Sequence, residues 1–328
     1  MQPTELMIQL LKKSGSNNNA ESLAAVRELT VALQSPLREA VLSGDIAGGI
    51  FEVVDVTNGV TAEFPLDLIV PGTEKDYVAY TIPKAGAVPH RNVEGDYVQV
   101  PVFEVGNSID WLKKYARQAR WDIVRRAMQV MEAGIVKKTN DDAWHTLLSA
   151  GVDRNVLVFD GDAQAGQFTK RLVSLMKIVM RRNGGGNSTS QNRGILTDLY
   201  MSPENMEDIR NWGIDQVDEV TRREIYVSAD GAVNRIFNVN LHDIDELGEG
   251  QEYQDFFTNT LSGSLASGDV ELVVGLDLRN RDSFVRPVAS QLEVFEDDQV
   301  RMRRSGMWCT MEHGFGVLDG RRVIIGSN

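Results

Sequence analysis

Apolar residues near the start of the chain recur at helical spacing. Leu6, Met7, Leu10 and Leu11 line one side of a short helix. A polar stretch from Ser14 to Asn19 interrupts them. Leu23, Val26, Leu29 and Leu33 then resume the same period. Pro36 removes a backbone donor, so the pattern predicts a stop there. Leu37, Ala40 and Val41 then form another short helix ending near Gly44. These stripes are thin and separated by polar hinges. Residues 1–50 therefore read as an arm that lies on another surface and does not fold alone.

The period changes to two from Phe51. Strands are predicted at Phe51 to Thr57, Tyr77 to Ile82 and Tyr97 to Phe103, and loop formers fill Pro83 to Gly95. Residues 51–106 thus read as a long two-stranded excursion. A lone ribbon of this kind lacks the neighbours that would stabilise it, so it needs a partner surface. The strongest helical stripe follows over 108–138. Ile109, Leu112, Ala116, Ala119, Ile123, Ala127, Val130 and Met131 share a face, with Ser108 as N-cap and Asp110 in the first turn. Gly134 bends or ends this helix, and Asp141 to Leu148 makes a shorter one.

Helices and strands alternate over 150–275. Phe168, Leu172, Leu175, Met176 and Val179 mark a helix that runs into the loop Asn183 to Ser190. Ile195 to Met201 reads as a strand. Ser202-Pro203 caps a helix ending at Gly213, with the proline at its first position, and Ile236 to Leu241 reads as another strand. The last sixty residues are mostly strands: Val270 to Leu278, Gln291 to Phe295, Val300 to Met311 and Val323 to Ile325. The apolar phase slips by one residue near Ser305-Gly306, which predicts a β-bulge. No internal repeat is visible, and the fold class is α+β.

Composition narrows the function. With 328 residues and 42% hydrophobic content, the chain can build a core without disulfides or metals. It has one cysteine, Cys309, which reads as a small packed strand residue. No apolar run approaches the roughly 18 residues of a membrane span, and the first residues do not resemble a secretory signal. The net charge of −13 opposes general, tight nucleic-acid binding. Against that background Lys113 to Arg126 holds six basic residues and one acid, Asp122. This run is either a solvated face or a contact with nucleic acid or with another subunit's acidic patch, such as the six acids between Asp243 and Asp255. The acidity of the chain favours the subunit contact.

A search for chemistry finds none with a recognisable pattern. His90, His145, His242 and His313 are scattered, and no pair has metal-ligand spacing. Cys309 and His313 are poorly placed on one strand to act as a nucleophile pair. Gly184-Gly-Gly186 follows a helix and lacks the lysine and hydroxyl of a phosphate loop. Gly314 to Gly320 reads as a turn between strands, and Asp160-Gly-Asp162 as a solvated turn without the remaining calcium ligands. Asn187-Ser-Thr189 matches a glycosylation sequon without the leader that would bring it to that machinery. The expectation is no catalytic site, no cofactor and no metal.

Taken in order, these elements resemble the major capsid protein of tailed bacteriophages, the Hong Kong 97-type fold. The resemblance spans nearly the whole chain. It includes Ile82-Pro-Lys-Ala-Gly86, Val98 to Glu104 running into the long helix, Thr197 to Glu204, and His313 to Gly320. It implies an N-terminal arm at 1–50 and an extended loop at 51–106. It further implies a peripheral domain with a spine helix at 107–150, an axial domain at 151–275, and peripheral strands with a C-terminal return at 276–328. It also implies self-assembly as pentamers and hexamers into an icosahedral shell that encloses double-stranded DNA without sequence-specific binding. A portal protein, a separate scaffolding protein and a decoration protein are the implied partners. Some members cross-link a loop lysine to a neighbour's asparagine; Lys84 lies in such a loop, with no partner identified. The residues expected at contacts between copies are Leu6, Leu10, Leu23, Val26, Tyr80, Ile82, Lys84, Val88, Arg117 and Arg120. The competing readings are an encapsulin-like compartment shell, an α/β enzyme with an unrecognised site, and another virion structural protein.

Overall fold

A computed structural model describes residues 5–56, 61–65, 97–153, 155–183, 194–212, 235–266, 268–279, 283–299 and 302–328. In chain order the main elements are α1 (Glu5–Ser14), α2 (Asn19–Ser43), β1 (Glu52–Asp55), β2 (Ala62–Pro65), β3 (Tyr97–Val100), β4 (Phe103–Leu112), α3 (Lys113–Arg117) and α4 (Trp121–Asp153). They continue with β5 (Leu157–Phe159), α5 (Lys170–Asn183), β6 (Asp198–Met201), α6 (Pro203–Asn211), β7 (Arg235–Ile236), β8 (Val239–Asp243) and β9 (Leu272–Leu276). The last are β10 (Phe284–Gln299), β11 (Arg304–His313), β12 (Gly316–Val317) and β13 (Val323–Ser327). The chain divides into two units. One comprises 1–63, 99–143 and 285–316, the other 64–98, 144–284 and 317–328.

The first unit has a sheet of order β1-β10-β11-β4, with β12 also on β10. β11 runs antiparallel to β4 in unbroken register from Arg304↔Leu112 to His313↔Phe103. Alternation turns Val105, Ile109, Trp111, Met307, Cys309 and Met311 to one face. There they meet Leu29, Leu33, Leu37 and Val41 of α2 and Val124, Met128, Met131 and Ile135 of α4 in one core. Asn107 is the polar member of that inner row. Its side-chain amide donates to the Met131 carbonyl at 3.3 Å. Gly134 leaves the space, because a Cβ there would stand 2.8 Å from that nitrogen.

The second unit holds a sheet of order β5-β13-β9-β6-β8-β7. β6, β9 and β13 are buried along their whole length; β9 is apolar throughout, while β6 starts with Asp198 and β13 ends in Ser327. Phe168, Leu172, Val173, Met176 and Met180, together with Met206 and Ile209 of α6, join the sheet's core. Ser202 caps α6, accepting from the Asn205 N–H at 3.2 Å, with Pro203 at the first helical position as the sequence predicts.

Several expectations need correction. α2 does not stop at Pro36 but carries it inside a 25-residue helix. One lost backbone bond costs about 3 kcal/mol, which burial of Leu33, Leu37 and Val41 offsets. The arm lies on its own chain and not on a foreign surface alone. The helix predicted from Ser108 begins later. Residues 103–112 are strand, then α3 and a turn with Ala119 at φ 51 precede α4. α4 passes through Gly134 and Asp141 as one helix of 33 residues, about 50 Å at 1.5 Å per residue. No bulge forms at Gly306, where the β11–β4 register is continuous; the irregularities lie in β10 between Val288 and Glu293. Ile236 to Leu241 is not one strand but a hairpin, turning at Phe237 and Asn238 with φ of 47 and 65. The terminal strand β13 pairs with β5 and β9 in the second unit's sheet, away from the strands of the first. The predicted strand Tyr77 to Ile82 and the loop Pro83 to Gly95 fall outside the described residues.

Because Leu33 is fully buried and Leu23 is 48% exposed, the two should separate in a stability test. Leu33→Ala is expected to cost about 2–5 kcal/mol, and Leu23→Ala less than about 0.5 kcal/mol, measured by denaturant unfolding.

Candidate functional site

The arm is fastened to the first unit by buried polar contacts. Lys113, at the start of α3, is buried and donates to Ser22 Oγ at 3.0 Å. Ser22 Oγ in turn donates to the Ser14 carbonyl at 2.6 Å. Arg117, one turn on, donates to the Gly15 carbonyl and to Asn17. Three side chains thus close the polar hinge between α1 and α2 against the entry to the long helix.

A second fastening sits at the other end of the arm. Asp45 pairs with Arg286 on β10, and both side chains are nearly excluded from solvent. Asp45 also accepts the Gly48 N–H at 2.9 Å. The Arg286 guanidinium lies 5.2 Å from the centroid of the Phe315 ring. Phe315 meets Phe51 edge to face at 5.0 Å and His313 at 5.2 Å. His313 is 2% exposed, and its Nδ1 has no partner. Burial depresses its pKa to about 4, and the Arg286 charge adds to that effect; Asp142 and Asp45 oppose it, and Lys138 reinforces it.

Two further polar clusters lie in the second unit. Asp277 is fully buried, accepts the Ile195 N–H at 2.9 Å and pairs with Arg279 and Arg322. Burial alone would push its carboxyl up. The Arg279 and Ile195 hydrogen bonds, with the two arginine charges, hold it below the usual carboxylate range. Asp198 is likewise opposed by burial but held low by His242, Thr197 and Asn240. Its Oδ1 is 3.0 Å from His242 Nε2, whose ring stacks on Tyr200. Every one of these carboxylates is engaged by structural partners.

The residues suspected of chemistry are spoken for. Cys309 is fully buried on β11, and burial raises its thiol to about 11, with its S–H directed at the Asn107 carbonyl. His313 lies four residues along the same strand, about 13 Å away by strand rise. Asp160 binds the Thr169 hydroxyl at 2.7 Å and faces Arg171. Among the described residues no group of three or more His, Cys, Asp or Glu could hold a metal. No helix among them is long and apolar enough to cross a membrane.

The residues expected at contacts between copies divide. Leu10 and Val26 are buried within the chain, because α1 and α2 fold back onto α3 and the sheet. Leu6 and Leu23 remain 62% and 48% exposed. Arg117 and Arg120 are both exposed, and Arg117 also donates into the hinge. Tyr80, Ile82, Lys84 and Val88 lie outside the described residues. Sequence reasoning missed the Asp45–Arg286–His313 cluster, since its members are 241 and 27 positions apart and share no local pattern. It also missed the outer face of the β4–β10–β11 sheet. Glu104, Asp110, Glu293, Asp297 and Glu312 gather there around a stacked, part-exposed Phe295–Trp308 pair. The acid-rich run from Glu293 to Asp298 was the available signal.

An arm helix, a long helix over an antiparallel sheet, and a second mixed sheet with its own helices together define a Hong Kong 97-type capsid fold. Solved structures from phages share it. A chain of Microbacterium phage Oxtober96 superposes with a TM-score of 0.58 at 9% identity, covering 87% of this chain and 90% of that one. A chain from the capsid structure of cyanophage P-SCSP1u gives 0.57 at 11% identity over 85% and 86%. The capsid asymmetric unit of cyanophage Pam1 gives 0.56 at 14% identity over 85% and 88%. No protein-family model matches the sequence, and no curated protein matches it either.

The buried histidine sets a pH dependence with a definite sign. His313 titrates near 4 in the folded chain against 6.5 ordinarily, so as pH falls the unfolded chain takes up its proton first. The stability linked to this site is whole above about 6.5 and drains away between there and 4. The wild type should therefore lose up to about 1.4 kcal/mol per pH unit in that window through this one group. His313→Gln should flatten the slope, read as unfolding midpoint against pH. An unchanged slope would contradict the neutral buried imidazole.

Proposed function

We propose that this chain is the major capsid protein of a tailed bacteriophage. Its role is structural, with no catalysis of its own. Copies associate as pentamers and hexamers and close into an icosahedral shell around double-stranded DNA. The supporting observation is the fold itself, matched over more than four fifths of the chain to the capsid structures of cyanophages P-SCSP1u and Pam1.

The physical features agree with that role. Asp198 and Asp277, whose titration is shifted, are tied into the fold by named partners, and His313 is buried. A net charge of −13 suits an inner wall that does not grip packaged DNA. A portal at one vertex, a separate scaffolding protein and a decoration protein are the partners such a shell calls for. Assembly takes place in the bacterial cytoplasm, and the mature product is the virion.

The test is direct. The protein, expressed alone or with its upstream gene and viewed by negative-stain microscopy, is expected to give closed shells or five- and six-fold rings. A compact monomer that persists at high concentration would contradict the proposal. Shells filled with an enzyme in place of DNA would redirect it to an encapsulin-type compartment.

A further inference from the structure

The sheet of the first unit has two unlike faces. Its inner face is the core described above. The outer rows run Arg304–Leu112, Gly306–Asp110, Trp308–Ser108, Thr310–Gly106 and Glu312–Glu104, with Gln299, Asp297, Phe295 and Glu293 of β10 opposite the first four. This face carries five carboxylates and one cation, Arg304, which pairs with Asp110 at 2.8 Å. Among the described residues, Glu104, Glu293 and Glu312 have no ion-pair partner. At the centre Phe295 and Trp308 stack with ring centroids 4.5 Å apart, yet they remain 36% and 38% exposed.

On the helical side of the same unit, cations gather at the start of the long helix around one acid, Asp122. Trp121, Val124, Met128, Met131 and Ile135 of α4 point into the core. Arg125 and Arg126 therefore point away from it, and Lys114 and Arg120 are exposed just before the helix. Among the described residues none of these four cations has an ion-pair partner. The acidic sheet face and the basic helical face are on opposite sides of one two-layer unit, so neither can neutralise the other within a copy.

We propose that the acidic face, with its aromatic pair, receives the cations at the start of the long helix of a second copy. This rests on the shell reading and names the surfaces that join its subunits. Like copies with a net charge of −13 repel, so their association needs a local attraction that every copy carries. A guanidinium laid over the Trp308–Phe295 stack gains both the ring face and the flanking carboxylates. The exposed acids of 243–255 lack such a centre, since Tyr253 and Phe257 are buried. A contact between two different patches is heterologous, and repeated by rotation it closes a ring.

A charge swap tests this. One variant carries Glu104→Lys, Glu293→Lys and Glu312→Lys; a second carries Arg120→Glu, Arg125→Glu and Arg126→Glu; a third carries all six. Circular dichroism and unfolding midpoints establish that each is folded, and sedimentation measures assembly. Each triple variant alone should lose assembled material by about tenfold or more. The variant carrying all six substitutions should recover it. A folded acidic-face variant that assembles like the wild type would assign that face to another partner and overturn the inference while leaving the shell intact. Failure of the folded six-fold variant to recover assembly would overturn it equally. A wild type that never assembles would instead refute the shell reading, and this inference would fall with it.

Discussion

The interaction on which the first unit depends is a three-way core: sheet, arm helix and long helix bury the same side chains. Met307, Cys309 and Met311 supply the sheet's share, Leu29, Leu33 and Leu37 the arm's, and Val124, Met131 and Ile135 the long helix's. An antiparallel sheet with one apolar face must cover that face, and one helix does not cover a ten-residue strand pair. The arm is therefore a layer of the unit. Each fully buried leucine in it contributes about 1.5–3 kcal/mol, more than enough to offset the proline carried inside α2.

Buried polar contacts set where the arm lies once the apolar core has set that it lies there. Lys113 and Arg117 hold the hinge between α1 and α2. Asp45 and Arg286 hold the far end. A buried ion pair adds little net stability over an apolar pair but penalises wrong placements heavily. That ion pair at one end of the 25-residue helix, with the lysine and arginine hydrogen bonds of the hinge at the other, gives it one register on the sheet. His313 beside the second anchor stays neutral for the same reason: a second buried cation next to Arg286 would have no anion of its own.

The sequence was legible where one period dominates. The arm stripe, the cap at Ser202-Pro203 and the packed role of Cys309 all follow from local chemistry. Residues 103–112 misled because two periods coincide there. Ile109, Leu112 and Ala116 keep helical spacing with the helix beyond, while Val105, Asn107, Ile109 and Trp111 alternate as strand. Pairing with β11, far along the chain, decides between them, and no local pattern contains that information. Pro36 and Gly134 misled in the same direction. Each is a helix breaker by propensity, and each is overruled by tertiary contacts: the leucines beside Pro36, and the Asn107 amide that needs the bare Cα at Gly134. The order of elements was more informative than any single boundary, and it is the order that the phage capsid folds share.

An arm that is a layer of the core should open only when the core opens. Hydrogen exchange of the unassembled subunit tests this most directly. The amides of Leu29, Leu33 and Leu37 are expected to be protected to the same degree as those of Met307 and Cys309 on β11, opening only when the whole unit opens. Exchange of the α2 amides within seconds, with β11 still protected, would show that the arm folds only on a neighbour and would contradict the account.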